Sequence, residues 1–172
     1  MPQTPTQIRP PTQTPTVTVI LDTNALMMPV ECDVRLFDEL DRLGFDGDYV
    51  IPAAVLAELE RLADGGGREA VAASVGRDLA ERCRVVETAA SFADDAVVEL
   101  AVGAGGDGAD ESATDEADDD AAVDHGGSGD GTGIEGERVV VTNDRPLRDR
   151  LLARGVRVIG IRGRNKLDVT QP

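Results

Sequence analysis

Two short apolar runs in this chain each lead into a carboxylate. Residues 17–21 are followed by Asp22, and residues 139–142 are followed by Asn143 and Asp144. Runs of this length that are rich in β-branched residues predict buried parallel strands, and open α/β sheets bind ligands at the carboxyl ends of such strands. Carboxylates gathered at one edge repel one another unless they share a cation or a proton. The sequence therefore predicts a metal site at this edge of the sheet.

Two further candidate acids lie on predicted helices. Glu58 and Glu60 flank the apolar stripe of one helix on opposite sides, so the helical periodicity does not choose between them. In a later helix the spacing places Asp94 on the apolar side and Asp95 outward, and a carboxylate on a buried face needs a partner. Asp95 stays the alternative to Asp94.

Each acid also has a purely structural interpretation. Asp22 could begin a turn that leaves the strand, and Glu58 could belong to an ordinary amphipathic helix. Asp94 fits a capping box with Ser91, and Asp144 could cap a helix that begins near Pro146. In combination, at the ends of strands and helices, the four acids favour a site.

The histidine content restricts the chemistry further. The only histidine, His125, lies in a Gly- and Asp-rich segment, where we expect it to be exposed to solvent. Imidazole acid–base catalysis and a Ser-His-Asp triad are therefore excluded. An enzyme built on these acids would use Mg²⁺ or Mn²⁺, which take oxygen ligands, activate water and neutralise phosphate charge.

Strand and helix patterns alternate along most of the chain, which predicts one α/β domain with a mainly parallel sheet. The domain is predicted to span residues 17–167, with a disordered arm before it at 1–16 and a tail after it at 168–172. Within the domain, the segment 103–137 is too long and too polar for an ordered loop, so it predicts a disordered insertion. The predicted strands cover about 17–21, 49–51, 84–86, 138–142 and 156–161, and the predicted helices about 33–43, 53–63, 68–82, 92–102 and 146–154.

The charge is strongly negative but unevenly distributed. The formal net charge is −16, and residues 103–137 hold 12 of the 33 acids and no base. With 16 Arg and one Lys, the composition resembles that of proteins from salt-loving archaea, whose acidic surfaces keep them soluble in brine. High salt screens surface charge to a few Å, so the net sign does not decide which partners bind.

Nothing in the sequence predicts export or a membrane. No segment resembles a signal peptide, and no apolar run approaches the ~18 residues of a membrane span. Cys32 and Cys83 have no metal-type spacing, and we expect them to be reduced thiols. These features predict a cytoplasmic protein with no membrane partner.

Four motifs together resemble those of PIN-domain nucleases. They are Leu21-Asp22-Thr23-Asn24, Ile51-Pro52 followed by Glu58, Ala93-Asp94-Asp95-Ala96, and Val141-Thr142-Asn143-Asp144, in the order and element context of that family. The resemblance covers about 17–102 and 138–167. It is closest to the archaeal branch related to the eukaryotic nuclease that cleaves the small-subunit ribosomal RNA precursor, and the motifs at 93–96 and 142–147 favour this branch over the toxin branch.

The resemblance implies a three-layer α/β/α sandwich whose acidic pocket binds one or two divalent metals and hydrolyses RNA. Asp22 matches the first-strand metal ligand, Glu58 the helix acid, and Asp144 the fourth acid. Asp94 matches the third acid, with Asp95 as its alternative because the doublet leaves the alignment uncertain by one place. The small polar neighbours that would orient these ligands are matched by Asn24 and Thr142.

The C-terminal part of the chain is basic. Residues 138–166 hold nine basic residues against Asp144 and Asp149. Five of the nine could bind RNA phosphates or could equally form a solvated helix face and a basic tail: Arg145, Arg148, Arg162, Arg164 and Lys166. With three Phe, one Tyr and no Trp, a base-stacking platform is not expected.

The function expected from these features is that of a metal-dependent endoribonuclease acting on ribosomal RNA precursor, with a homodimer compatible with the sequence. One alternative is a PIN fold that binds RNA or a ribosome-assembly partner without cleaving. Another is a toxin ribonuclease paired with an antitoxin.

Overall fold

Six strands form one sheet in the computed structural model, counted over the residues that it describes, which are 17–45, 47–103, 134 and 136–172. The strands are β1 (Thr18–Leu21), β2 (Asp48–Pro52), β3 (Arg84–Val86), β4 (Arg138–Val141), β5 (Arg157–Arg162) and β6 (Lys166–Thr170). Their spatial order is β3-β2-β1-β4-β5-β6. Neighbours from β3 through β5 pair in parallel, and β6 pairs antiparallel with β5. The predicted mainly parallel sheet is confirmed.

Helices cover both faces of this sheet. In the described part of the chain they are α1 (Thr23–Glu31), α2 (Leu36–Arg42), α3 (Ala53–Ala63), α4 (Gly67–Ala80), α5 (Ala93–Val102) and α6 (Arg145–Leu152). α4 packs against α1 and α3, α5 and α6 pack against each other and against the sheet, and α5 also contacts α3. Because the chain proceeds outward in opposite directions from β1, right-handed crossovers place the two helix groups on opposite faces. The fold is the expected three-layer α/β/α sandwich.

The two central strands are apolar because both of their faces are covered. Ile20 and Leu21 of β1 are fully buried, as are Val139, Val140 and Val141 of β4. Burial on both faces explains why these strands are continuous apolar runs with no alternation. Each run stops at the carboxyl edge of the sheet, where the next residues are polar.

The sequence patterns predict neither α1 nor β6. α1 starts directly after β1 and contains Pro29 in its last turn. β6 pairs along β5, with Leu167 opposite Ile161 and Val169 opposite Ile159. The tail predicted at 168–172 is therefore wrong as far as Thr170, which ends this strand.

The predicted insertion also ends earlier than expected. The arm predicted at 1–16 and most of the insertion predicted at 103–137, including His125, lie outside the described residues. Ile134, however, is 3% exposed and belongs to the hydrophobic core. The carbonyl of Glu137 accepts a hydrogen bond from the Thr18 amide at 2.9 Å, and its carboxylate pairs with Arg157 at 2.8 Å. The chain therefore contacts the domain again by residue 134.

We predict that Ile134→Ala lowers the free energy of unfolding by about 2 kcal/mol or more, because the change removes buried methyl groups and leaves a cavity. Denaturant unfolding measures this loss. Val71→Ala is the matched control, since Val71 is 57% exposed and its truncation should cost almost nothing. Equal stabilities for the two variants would place Ile134 outside the core.

Two smaller expectations concern membranes and thiols. Within the described ranges no helix is both long and apolar enough to cross a membrane. Cys32 and Cys83 are free cysteines, as expected. Burial raises the pKa of Cys83 to about 12, so this thiol stays protonated at neutral pH.

Candidate functional site

The predicted acids lie at the point where the strand order reverses. β1 and β4 are neighbours in the sheet although the chain visits β2 and β3 between them. Asp22 follows β1, and Thr142 to Asp144 follow β4, so both segments leave the same carboxyl edge side by side. In open α/β sheets this switch point is a crevice in which ligands bind.

Asp22 is the most deeply buried acid of the site. It is 2% exposed, and its side chain caps α1 by accepting the Ala25 amide through Oδ1 at 2.5 Å. Its other oxygen, Oδ2, accepts the hydroxyl of Thr142 at 2.5 Å. Burial raises the pKa of Asp22 to about 7; the two hydrogen bonds lower it, and the charges of Asp94 and Asp144 raise it further. A carboxylate in this environment favours a nearby cation or a bound proton.

Thr142 connects the two strand ends. It is fully buried, donates its hydroxyl to Asp22 and accepts the Asp144 amide at 3.0 Å. Thr142 therefore contacts both Asp22 and Asp144, and its orienting role stays a prediction. Asn24, the other predicted orienting residue, is exposed on the first turn of α1.

Asp144 is half-buried and is the N-cap of α6, where Oδ1 accepts the Leu147 amide at 2.8 Å. The capping role considered for this residue is therefore real. It does not remove Asp144 from the acid cluster, because its charge raises the pKa of both Asp22 and Asp94.

The structure distinguishes Glu58 from Glu60. Glu58 is half-buried, and its Oε2 accepts the hydroxyl of Thr23 at 2.6 Å. Its Oε1 lies 3.5 Å from Arg61, a partly exposed ion pair that fixes the side chain only weakly. Glu60 is exposed. α3 therefore presents Glu58 to the edge where α1 begins.

Asp94 differs from its prediction in two respects. It is exposed at the start of α5 and does not lie on the buried side of the helix, because the first turn extends beyond the packed face. The capping box with Ser91 is absent: Phe92 is the N-cap, and no side chain caps this helix. Even so, partial desolvation raises the pKa of Asp94, followed by the charges of Asp144 and Glu58.

Asp95 serves a different purpose from Asp94. Its carboxylate accepts a hydrogen bond from Arg150 at 2.6 Å, which joins α5 to α6. Because this charge is already paired, Asp94 is the better candidate for a metal ligand of the two.

Two of the candidate acids line an open cleft of about 320 Å³, whose full lining is Glu58, Phe92, Ala93, Asp94, Asp95 and Arg150. Asp22 is buried beside the sheet and does not line it. Asp22, Asp94 and Asp144 nevertheless interact with one another through their charges. The cleft is thus lined by Glu58 and Asp94, while Asp22 lies buried close enough to Asp94 for their charges to interact.

The donor set suits a hard divalent cation. The four candidates supply only carboxylate oxygens, which Mg²⁺ and Mn²⁺ prefer. Within the described residues, no three acidic, His or Cys side chains converge closely enough to hold a metal by themselves. Mg²⁺ is commonly held by one or two carboxylates, with waters and substrate phosphates completing its shell. The residues therefore fit a cation that is bound jointly with water and substrate.

The predicted basic residues fall into two groups. Arg145 and Arg148 lie in the first turns of α6, beside the acids. Arg162, Arg164 and Lys166 are all exposed around the β5–β6 turn. Because β5 runs parallel to β4, this turn rises from the same carboxyl edge as Asp144. The expected basic tail is a hairpin next to the site.

Sequence reasoning missed three residues that the structure places here: Thr23, Arg150 and Phe92. The contacts of Thr23 with Glu58 and of Arg150 with Asp95 join positions 35 and 55 residues apart, so no local pattern signals them. Phe92 could have been found, because it is a lone aromatic residue directly before a helix start.

Comparison with known proteins gives two findings about this fold. A family model described as a PIN-like domain matches residues 19–118, a range that includes Asp22, Glu58 and Asp94 and stops before Asp144. The solved structure of the PIN domain endonuclease Utp24 is similar to this chain with a TM-score of 0.60 and 22% identity, covering 92% of this chain and 95% of that one. At that identity the likeness shows a shared fold. No curated protein matches the chain in sequence.

Proposed function

The chain belongs to the PIN-like domain family, and from this premise we propose that it is a divalent-metal-dependent endoribonuclease. The observation that carries the proposal is the buried Asp22 at the switch point, with Asp94 and Asp144 close enough to raise its pKa. Such a group of acids, with no histidine in the part of the chain that the structure describes, suits phosphodiester hydrolysis with a bound metal. The structurally similar Utp24 is itself described as an endonuclease, which supports the same reaction class.

Asp22, Asp94 and Asp144 would hold the cation, and Glu58 would be a further ligand or orient one. A divalent ion supplies two things at such a site: a nucleophilic water at neutral pH and compensation for the charge on phosphate. Mg²⁺ and Mn²⁺ both suit these oxygen donors.

The side chains around the acids hold the carboxylates in place. Thr142 and the Ala25 amide fix both oxygens of Asp22, so this carboxylate cannot rotate. The hydroxyl of Thr23 donates to one oxygen of Glu58, and the other oxygen faces Arg61. Fixed carboxylates position a water and a phosphate with little loss of entropy at the moment of reaction. Because Asp94 is exposed, a single strand of RNA can reach it from solvent.

We propose single-stranded segments of structured RNA as the substrate, with ribosomal RNA precursor as the specific target. The exposed cations of the β5–β6 hairpin lie at the same edge as the acids and offer phosphate contacts. The target itself rests on the motifs at 93–96 and 142–147, which resemble the rRNA-processing branch.

A non-cleaving RNA-binding module is the second candidate. It is favoured by one observation: over the described ranges, no three acidic, His or Cys side chains converge into a ready metal site. The same basic hairpin would then hold RNA while the acids contribute no chemistry.

Turnover separates the two candidates. The purified chain should be incubated with a molar excess of labelled structured RNA, in Mn²⁺ and in chelator. We expect each protein molecule to cleave several RNA molecules in Mn²⁺ and none in chelator. Binding of RNA in Mn²⁺ without turnover would instead establish the binding module.

A separate prediction concerns the hairpin. Changing Arg162, Arg164 and Lys166 together to Ser should weaken RNA binding and make the slope of log affinity against log salt shallower by about 2. Each phosphate contact that forms releases ~0.7–0.9 counterions from the RNA, so the loss of three contacts reduces the salt dependence. Arg162 is partly neutralised by Asp168 at 3.1 Å, so its share should be the smallest. Salt titrations of binding measure the slope.

A charge-matched control separates local contacts from net charge. Three exposed arginines outside the hairpin supply it: Arg35, Arg77 and Arg154. Their replacement by Ser should leave the slope near that of the unchanged chain. Equal slopes for the two triple variants would mean that the hairpin side chains are merely solvated and do not contact RNA phosphates.

A further inference from the structure

Phe92 is the most exposed large apolar side chain in the described part of the chain, at 76% of its surface. The other three aromatic residues are packed: Phe37 and Tyr49 meet edge to face with ring centroids 4.9 Å apart, and Phe45 contacts the core. An aromatic ring left in water forgoes the burial that stabilises a fold. Its position therefore invites a functional explanation.

The position of Phe92 relates it to the acid cluster. It directly precedes α5 and lines the same cleft as Glu58 and Asp94. The Phe92 carbonyl accepts the Ala96 amide at 2.9 Å, and just before it the Ala89 and Ala90 amides both donate to the Glu99 carboxylate of α5 at 2.9 Å. The exposed ring therefore lines the cleft from a backbone that is hydrogen-bonded to α5 on both sides.

The charges of the cleft restrict what can lie against this ring. Glu58 and Asp94 on its walls repel phosphate, so the backbone of a nucleic acid would not settle there without a cation. A nucleobase is flat and uncharged, and its amino groups can donate to carboxylates. Arg150, held by Asp95 and 41% exposed, offers a cation for the phosphate next to that base.

We propose that Phe92 stacks on one unpaired nucleobase of the RNA, beside the phosphate that is cleaved, and so positions the strand. The inference rests on the proposed function and specifies its substrate: an unpaired strand with an exposed base at the site. A single ring reads no sequence by itself, because every base has a π-face. Phe92 is a positioning residue, since the reacting atoms contact the acids.

The test uses RNA binding, so that it does not depend on cleavage. In the Asp22→Asn background and in Mg²⁺, the affinity for a short unstructured oligoribonucleotide is measured with Phe92, Phe92→Ala and Phe92→Tyr. We expect Phe92→Ala to weaken binding about tenfold, because one base–aromatic stack is lost. Phe92→Tyr should retain the affinity, because its ring can still stack on a base. Val71→Ala is the matched control, an exposed apolar side chain outside the cleft, and should bind normally.

Two further measurements separate stacking from a structural effect. The same oligonucleotide annealed to its complement should show no difference between Phe92 and Ala, because paired bases cannot stack on the ring. With 5-iodouridine in the single strand, irradiation should crosslink uridine to residue 92 in the Phe and Tyr proteins, as mapped by mass spectrometry.

The outcomes distinguish this inference from the proposed function. Equal single-strand affinity for the Phe and Ala proteins, or crosslinks only elsewhere, would overturn the stacking role while RNA binding stands. An equal loss of affinity for single strand and duplex would also overturn it, because that pattern indicates a structural defect. Absence of RNA binding in Mg²⁺ by the chain with both Asp22 and Phe92 unchanged would refute the proposed function itself.

Discussion

Asp22→Asn is expected to abolish metal-dependent RNA cleavage while leaving the fold intact. The substitution keeps the size of the side chain and the oxygen that accepts the Ala25 amide, but it removes the buried negative charge. Rates measured in Mn²⁺ should fall to the level seen in chelator. Asp149→Asn is the control: Asp149 lies farther along α6 with 71% of its side chain exposed, so its loss should not change the rate. Cleavage by Asp22→Asn at the unmodified rate would remove this acid from the site.

The same variant should be more stable than the unmodified chain at neutral pH without metal. The pKa of Asp22 is about 7 in the folded chain against 3.8 for the free side chain, mainly because of burial. Between these values the folded chain keeps a proton that the unfolded chain has released. The free energy of unfolding therefore falls as pH rises from about 4 to about 7. Asn has no proton to lose, so the variant should gain roughly 2 kcal/mol or more at pH 8 and show a flatter pH dependence.

Denaturant unfolding of both proteins across this pH range, in chelator, measures whether the free energy of unfolding falls with rising pH and whether the variant is the more stable one. The raised pKa of Asp94 acts in the same direction and leaves some slope in the variant. A variant that is less stable at pH 8 than the unmodified chain would mean that the charge of Asp22 is compensated in the folded state.

Thr142→Val should have the second largest effect. It replaces a fully buried hydroxyl by a methyl group of similar size, which leaves Asp22 Oδ2 and the Asp144 amide without this partner. We expect cleavage to fall about 10–100-fold, as is usual when a group that orients metal ligands is lost. Stability should also fall by about 1–3 kcal/mol because polar groups lose a hydrogen bond in a buried site.

Thr142→Ser provides the control for this prediction. Serine keeps the hydroxyl and loses only a methyl group, so it should retain most of the activity. If Thr142→Val and Thr142→Ser cleave equally fast, the hydroxyl does not position Asp22.

Much of this arrangement was predictable because parallel strands place their carboxyl ends together. Asp22 and Asp144 follow two apolar runs, and that pattern alone brought them to one edge. Thr142 could be assigned its role only by resemblance, since its bond to Asp22 joins positions 120 residues apart. The choice of Glu58 over Glu60 likewise came only from the resemblance, because the helical wheel places both beside the apolar stripe; in the structure Glu58 is the half-buried one and accepts the Thr23 hydroxyl.

The errors have specific physical causes. A helical wheel treats a helix as endless, whereas Asp94 lies in a first turn that extends beyond its packed face. Composition averaged over residues 103–137 hid Ile134, a single apolar residue that enters the core. β6 carries an alternating pattern, with Leu167 and Val169 between polar residues, but so short a segment at the end of the chain does not by itself predict a strand. α1 went unpredicted because its run is apolar on most sides and contains Pro29.

The most direct test of the central claim is cleavage of a circular, uniformly labelled RNA by the purified chain. Only an endonuclease can open a circle, and in Mn²⁺ we expect linear products that chelator prevents. Attack by water should leave a 5′-phosphate and a 3′-hydroxyl, whereas attack by the neighbouring 2′-hydroxyl leaves a cyclic phosphate. Circles that stay closed in Mn²⁺, or linear products with cyclic phosphate ends, would contradict the metal-dependent hydrolysis assigned to Asp22, Glu58, Asp94 and Asp144.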